Sequence, residues 1–482
     1  MGLVRRLHYS RTNNGTVTKS HDPAPRLLLA LGAGLGLWLS ALHAAPFEVW
    51  TTDRDGLMRL QRQADVPFTT QPAQGLVIEI HPEDRHQRFL GVGAALTDSS
   101  AWLLQHRLAD GARAAVLEDL FSARLGIGLN MLRVTIGSSD FSQRHYSLDD
   151  TPDNEPDPSL RHYAEQPETL EVRALARQAH AVNPSLHVIA SPWSAPAWMK
   201  TPAGLIAGRM QRQYHAAFAE YLLRFADAYA NAGLPLYALT VQNEPAFEAP
   251  SYASMRFDAD ERARFIAEAL GPRLRARAHA PKLLEWDHNW SMPGSPLAVL
   301  AHADAAQYID GVAWHCYGGF PESQSWVHGV AAKDVYITEC SGGDWQQEWP
   351  DGFRSLVGTV LIDGLRNGAR AVLFWNLVLD EHHGPFVGGC KTCRGVVTLA
   401  HKIDLFRASG RVFRENGELF GETSWIQVMI GQGIMPTAYH PFADRLSDAE
   451  LGRYLDDLRQ VIGKCVGVMP THAQFVASQC AA

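Results

Sequence analysis

Two short stretches place a glutamate directly after residues suited to a buried strand. They are Thr240-Val241-Gln242-Asn243-Glu244-Pro245, behind the run Leu236 to Val241, and Val335-Tyr336-Ile337-Thr338-Glu339-Cys340. β-branched and aromatic runs read as strands, and in both cases the carboxylate stands where the run stops. Two carboxylates at two strand ends can break a glycosidic bond: one acid protonates the leaving oxygen, and the second carboxylate attacks the anomeric carbon or activates water. A lone strand-end Glu is ordinarily a solvated surface residue. Gln242, Asn243 and Pro245 favour the chemical reading, because they make a polar cluster with a fixed turn beside an apolar strand.

Such a pair needs a scaffold that brings distant strand ends together. Candidate strands lie at Phe89 to Leu96, Asn130 to Ile136, Leu186 to Pro192, Tyr237 to Gln242, Leu283 to Asp287, Gly311 to His315, Val335 to Glu339 and Ala371 to Asn376. Helical periodicity lies between most of them, at Ala101 to Leu125, Glu171 to Val182, Tyr214 to Ala232, Ala259 to Leu274 and Phe353 to Asn367. This alternation predicts an α/β chain folded as a (β/α)8 TIM barrel, whose active site lies at the C-terminal strand ends. Those ends carry Thr97-Asp98, Ser138-Ser139-Asp140, Ser191-Pro192-Trp193, Asn243-Glu244, His315-Cys316-Tyr317, Glu339 and Trp375-Asn376. Packing alone does not call for so many polar and aromatic strand ends.

At 482 residues the chain can hold such a barrel with material to spare. The net charge of −8 offers no positive field to gather phosphates, so nucleic acid is excluded as a partner. Thirteen Trp include Trp193, Trp314 and Trp375 near strand ends, where flat apolar rings suit sugar faces; the other reading is that several of them simply pack in the core. The apolar run Leu27 to Leu39 after Arg26, ending in Ala41-Leu42-His43-Ala44-Ala45, reads as a signal peptide over residues 1–45. It predicts export to a periplasmic or extracellular location, with an uncut membrane anchor as the alternative. Cys316, Cys340, Cys390, Cys393, Cys465 and Cys480 are then free to form disulfides, with connectivity open. Cys390 and Cys393 have zinc-knuckle spacing, but no second pair or His-x-x-x-His follows, so a local bridge or free thiols are expected and no metal site.

Residues 88–399 resemble family 30 glycoside hydrolases, especially their glucosylceramidase branch. The matching motifs are Gly91 to Asp98, Leu132-Arg133-Val134 with Asp140-Phe141-Ser142, Ala190 to Thr201, Thr240 to Pro245, Thr338-Glu339-Cys340 and Phe374-Trp375-Asn376-Leu377. The resemblance implies a retaining mechanism on a glycolipid or other β-glucoside, with Glu244 as acid/base and Glu339 as nucleophile, about 5 Å apart. Glu244 is then expected to have a raised pKa, from apolar surroundings and from negative Glu339, and Glu339 to be held ionised, with Arg133 as a candidate partner. The same resemblance places Asp140, Trp193, Asn243 and Trp375 around the sugar, with Arg133, His315 and Tyr317 as further candidates. A structural ion pair is the other reading of Arg133, and structural support that of His315 and Tyr317. β-Xylosidase, β-fucosidase and endo-glycanase activities are alternatives on the same barrel. A glycolipid substrate would bring transient contact with membrane lipid.

Residues 46–87 contain short apolar runs at Phe47 to Trp50, Met58 to Leu60 and Leu76 to Ile80, which read as the β-strand segment of a partial β-sandwich. From about residue 400 the pattern changes. Phe406-Arg407, Arg414-Glu415-Asn416, Ser424 to Val428, Gly431-Gln432-Gly433 and Tyr439-His440-Pro441 resemble the C-terminal end of flavin-dependent tryptophan halogenases. No Gly-x-Gly-x-x-Gly opens a βαβ unit, since Gly91-Val92-Gly93 lacks the third glycine, so no flavin and no other cofactor is expected. The reading is a chimera: residues 400–482 form a foreign, largely helical tail where the barrel family has a last helix and the remaining strands of its β domain. A catalytically impaired chimera that only binds sugar is the alternative from another class.

Overall fold

The computed structural model describes residues 47–399, apart from 54–56, 59–60, 70–74, 76, 79–80, 82 and 347, together with the backbone of Gly2–Arg5, Arg411–Phe413 and Leu419–Glu422. Eight strands close into a barrel: β1 Gly91–Ala95, β2 Met131–Ile136, β3 His187–Pro192, β4 Ala238–Thr240, β5 Lys282–Asn289, β6 Gly311–His315, β7 Asp334–Glu339 and β8 Ala369–Asn376. Neighbouring strands are parallel throughout, and β8 closes on β1. Each strand lies where the sequence places it, with no end moved by more than two residues.

Period-two alternation divides each strand between two cores. Met131, Ile189, Ala238, Leu284, Ala313, Tyr336, Ala371 and Leu373 fill the barrel interior. The residues between them, among them Leu132, Val188, Leu239, Val312, Trp314, Ile337 and Phe374, pack outward against the helices. Trp314 is therefore no sugar platform: alternation turns it outward and leaves it fully buried, which corrects the sequence expectation.

The helix expected over Ala101 to Leu125 is two, Asp98–His106 and Asp110–Phe121. Ala109 is extended, and Asp110 opens the second helix where its charge suits the positive end of the dipole. The helical regions over Ala259 to Leu274 and Phe353 to Asn367 contain π-helical stretches at Phe265–Leu270 and Arg354–Asp363. Gly271 and Gly364 follow them. A Cβ at either would lie 2.3 Å from the Tyr308 ring or 2.5 Å from Ile337 Cδ1, so these glycines allow close packing on the helix backbone.

Residues 1–83 form a separate unit. In it Val49–Thr52 pairs antiparallel with Gly2–Arg5 and Gln61–Arg62. Of the other expected strands there, Met58 lies in a bend, and Val77 and Ile78 join no strand. The candidate signal run from Leu27 to Ala45 lies outside the described residues. No helix among the described residues is long and apolar enough to cross a membrane.

Among the described residues no helix follows β8. The chain forms instead a four-stranded sheet of Val378–Asp380, Val397–Leu399, Arg411–Phe413 and Leu419–Glu422. The last two strands lie within the tail expected to be largely helical, whose other residues from 400 on lie outside the described residues. Val412, Phe413 and Phe420 belong to residue types that suit an extended backbone, and Val397–Leu399 offers an edge to pair with. The helical pattern from Leu451 to Ile462, with Cys465 and Cys480, lies outside the described residues.

Candidate active site

One step along the alternation from the apolar interior, the inward positions become polar: Arg133 on β2, Ser191 on β3, Thr240 on β4, His315 on β6 and Thr338 on β7. All are buried. On β5 the same count from Leu284 would put Trp286 inside. The pairing of β5 with β6 shifts between Trp286 and His288, and both Trp286 (φ 77°) and Asp287 (φ 54°) are left-handed. Such backbone costs about 1–3 kcal/mol per residue. It sends Trp286 into the outer core, where the Arg262 guanidinium lies 5.4 Å from its ring, and turns Asp287 into the barrel. A second register shift pairs His315 with Glu339, making Thr338 the extra residue on β7.

Asp287, fully buried, is the hub of this layer. Its Oδ2 accepts from Arg133 Nη2 at 2.8 Å, Ser191 Oγ at 2.9 Å and Thr240 Oγ1 at 2.8 Å. Its Oδ1 accepts from Thr338 Oγ1 at 2.6 Å and lies 3.0 Å from His315 Nε2. Burial acts to raise its pKa, but the Arg133 charge and the bonds from His315 and Thr338 outweigh that and hold the carboxyl well below its usual range.

Arg133 joins this hub to Glu339. Its Nη1 pairs with Glu339 Oε2, its Nη2 also donates to Asn243 Oδ1 at 2.7 Å, and its Nε donates to Ser191 Oγ at 3.2 Å. The guanidinium carbon lies 4.8 Å from the Trp193 ring and 5.5 Å from that of Trp375, and the two indoles stack at 5.1 Å. Arg133 is thus both the buried ion pair and the support beneath the aromatic wall. Glu339 receives a second bond from the Tyr317 hydroxyl at 3.0 Å.

The Glu244 N–H donates to the Asp287 carbonyl at 3.0 Å, which extends the β4–β5 pairing past Thr240, and Glu244 itself is left-handed (φ 47°). Its Oε1 lies 3.1 Å from His315 Nδ1 and 3.2 Å from His288 Nδ1. Burial acts to raise the Glu244 pKa, yet the two imidazoles outweigh it and the net direction is down. His315 moves the other way, to about 9: burial acts to lower it, and Glu339, Asp287 and Glu244 outweigh that. The raised pKa expected of Glu244 is therefore corrected. The expectation took in burial and Glu339 and left out the imidazoles, whose opposing effect favours a proton on His315, between two carboxylates. Glu244, His288 and His315 also bring ligand atoms within 4.8 Å of one another, a set that could hold a divalent ion.

Asp140 lies against the loop that follows β8. Its carbonyl accepts from Val387 N–H at 2.8 Å, and a Cβ on Gly389 would lie 2.9 Å from its own Cβ. Burial first, then the negative charges of Glu339 and Glu244, push its carboxyl up to about 8. Tyr252 faces the same three carboxylates and is raised by burial and by their charge. All nine sequence candidates thus meet at one barrel mouth. Asp287, His288, Thr240, Thr338 and Tyr252 were missed. The run Trp286-Asp287-His288-Asn289 at the end of β5 was the available signal for the first two.

Among the described residues, Cys316 bonds to Cys340, and Cys390 to Cys393. The second pair is a local bridge and not a metal knuckle.

A closed (β/α)8 barrel with paired carboxylates among aromatic rings at its C-terminal mouth defines a glycoside-cleaving class of protein. The model of the glycosyl hydrolase family 30 TIM-barrel domain matches residues 89–388, and the chain belongs to that family. An endo-1,6-beta-D-glucanase of Neurospora crassa is 30% identical over 398 residues, covering 79% of each chain. The lysosomal acid glucosylceramidase of Mus musculus is 29% identical over 334 residues, covering 64% of each. Among solved structures an endo-beta1,6-glucanase superposes with a TM-score of 0.67 at 27% identity, covering 80% of this chain and 83% of that one. A second family model, tryptophan halogenase, matches residues 372–448, as expected of a chain joined from two sources.

Proposed function

We propose that the protein is an exported retaining β-glycosidase, with Glu339 as nucleophile and Glu244 as acid/base, and that it cleaves β-1,6-linked glucan. The observation that carries the mechanism is the unequal setting of the two carboxylates: Glu339 is held by Arg133 and Tyr317, whereas Glu244 lies 3.1 Å from the His315 ring. In the first step Glu339 attacks the anomeric carbon. As the leaving oxygen gains charge, the proton passes from His315 through Glu244 to that oxygen. In the second step Glu244 takes a proton from water, which displaces Glu339. Trp193, Trp375, Asp140 and Asn243 line the sugar site. The 1,6-glucanase relatives support the substrate, and two disulfides suit export.

A glucosylceramide-type glycolipid is the second reading. It is favoured by exposed Phe247, Met292, Phe320 and Trp345, each on a loop after one of strands β4 to β7. The test compares β-1,6-gluco-oligosaccharides, glucosylceramide in detergent, and aryl β-glucoside, xyloside and fucoside. Shortened oligosaccharides of intermediate length are expected from the first substrate. Glu339→Gln should abolish all turnover, by at least about a thousandfold, and an undiminished rate in that variant would sink the assignment.

A further inference from the structure

Both described disulfides lie at the barrel mouth. Cys316 stands between His315, whose Nδ1 lies 3.1 Å from Glu244, and Tyr317, which donates to Glu339; Cys340 directly follows Glu339. The bridge therefore ties the partner of one carboxylate to the backbone of the other. It closes where the β6–β7 register shifts, with Cys316 N–H on the Glu339 carbonyl at 3.3 Å and the Cys340 carbonyl accepting from Trp375 N–H at 2.8 Å.

The second bridge is joined to the first through the segment Cys340 to Asp344. Gly343 forms a β-bridge with Cys393, Asp344 N–H donates to the Thr392 carbonyl at 2.9 Å, and the Arg394 guanidinium pairs with Asp344 at 2.9 Å. Cys390 and Cys393 pack in one cluster with Phe141, Trp193 and Trp375. The same loop meets Asp140 through Val387 and Gly389.

We propose that the two disulfides are one thiol-sensitive frame: Cys316 and Cys340 position the reacting carboxylates, and Cys390 and Cys393 position the wall that binds the sugar. The proposal rests on Glu244 and Glu339 being the reacting pair. A dithiol opens each bridge by exchange. The protein S–S bond takes up two electrons and two protons and becomes two thiols, while the dithiol becomes a cyclic disulfide. Cys316 is half-buried and Cys340 fully buried, so Cys316 is the sulfur open to attack.

The experiment uses the full oxidised chain, Cys316→Ser/Cys340→Ser, Cys390→Ser/Cys393→Ser, and wild type reduced with dithiothreitol and alkylated to count open bridges. Kinetics on an aryl β-glucoside and hydrogen exchange are read on each. The first double variant is expected to lose kcat by about tenfold or more with KM nearly unchanged, since small misplacements of reacting groups cost that much. The second is expected to raise KM several-fold with kcat nearly unchanged. Faster exchange should be confined to residues 314–317 and 338–345 for the first, and to 381–394 for the second. Should a variant not fold, the wild type with both bridges reduced is expected to show the two effects together, a lower kcat and a raised KM, with exchange still local to the two segments. Unchanged kcat and KM in both, or a uniform loss of stability without a kcat-against-KM split, overturns the proposal. If the oxidised wild type turns over no glycoside, it is the functional reading that fails. Exchange then decides the frame by itself: a local rise supports it, and none or a global rise overturns it.

Discussion

In the proposed mechanism, the residue that decides the chemistry is the one holding the proton. His315 faces Glu244 through Nδ1 and Asp287 through Nε2, and both carboxylates accept only if the ring is protonated. Asp140 releases its proton near 8 and His315 near 9. kcat/KM should accordingly fall as pH rises through that range, because the pair then has no proton to give. In His315→Gln, Glu244 must hold the proton alone, and burial, no longer opposed by the His315 ring, favours that neutral form. Activity at neutral pH should drop by about tenfold or more, and the alkaline limb should change position. An unmoved limb in a pH–rate series would show that His315 takes no part in the transfer.

Elements position these residues through two departures from regularity, and there sequence reading reached its limit. Strand identity was legible, since β-branched and aromatic runs such as Val335 to Thr338 repeat between amphipathic helices. Most site residues followed, because active groups stand where such runs stop. The inward turn of Asp287 was not legible: it depends on left-handed backbone at Trp286 and Asp287, which no side-chain pattern announces. Alternation read strictly would also have turned Trp314 outward, and it was the strand-end position that misled. The loop after β8 offers a test of positioning by an element. Gly388 has φ 76°, and a Cβ there would lie 2.2 Å from the Ser251 carbonyl oxygen. Gly388→Ala should push the loop off Asp140 and raise KM several-fold, with kcat and melting temperature little changed. An unaltered KM would show that the loop does not shape the sugar site.

Over the whole molecule, buried carboxyls set how stability follows pH. Asp98, bonded by Ser142 and Tyr146 hydroxyls, is raised by burial from 3.8 to about 7, and Asp140 to about 8. Their folded forms keep protons that the unfolded chain releases near 4. Their stabilisation is complete below that pH and is lost as pH rises through 7 and 8. Glu244 and Asp287 are lowered and act oppositely, losing their contribution as pH falls below about 4. The melting temperature should peak in mildly acidic buffer. Asp98→Asn should flatten its alkaline decline, by an amount on the order of 4 kcal/mol at most; a decline as steep as in wild type would refute the role given to Asp98. Left-handed backbone at Glu244, Trp286 and Asp287 adds a cost of about 1–3 kcal/mol each, against a net stability of about 5–15 kcal/mol for a typical domain. Evolution therefore faces opposed demands at position 244. Asn or Gly would adopt that backbone more readily. Selection for heat resistance alone would drift toward them, and on the proposed role of Glu244 it is selection for turnover that keeps a glutamate there.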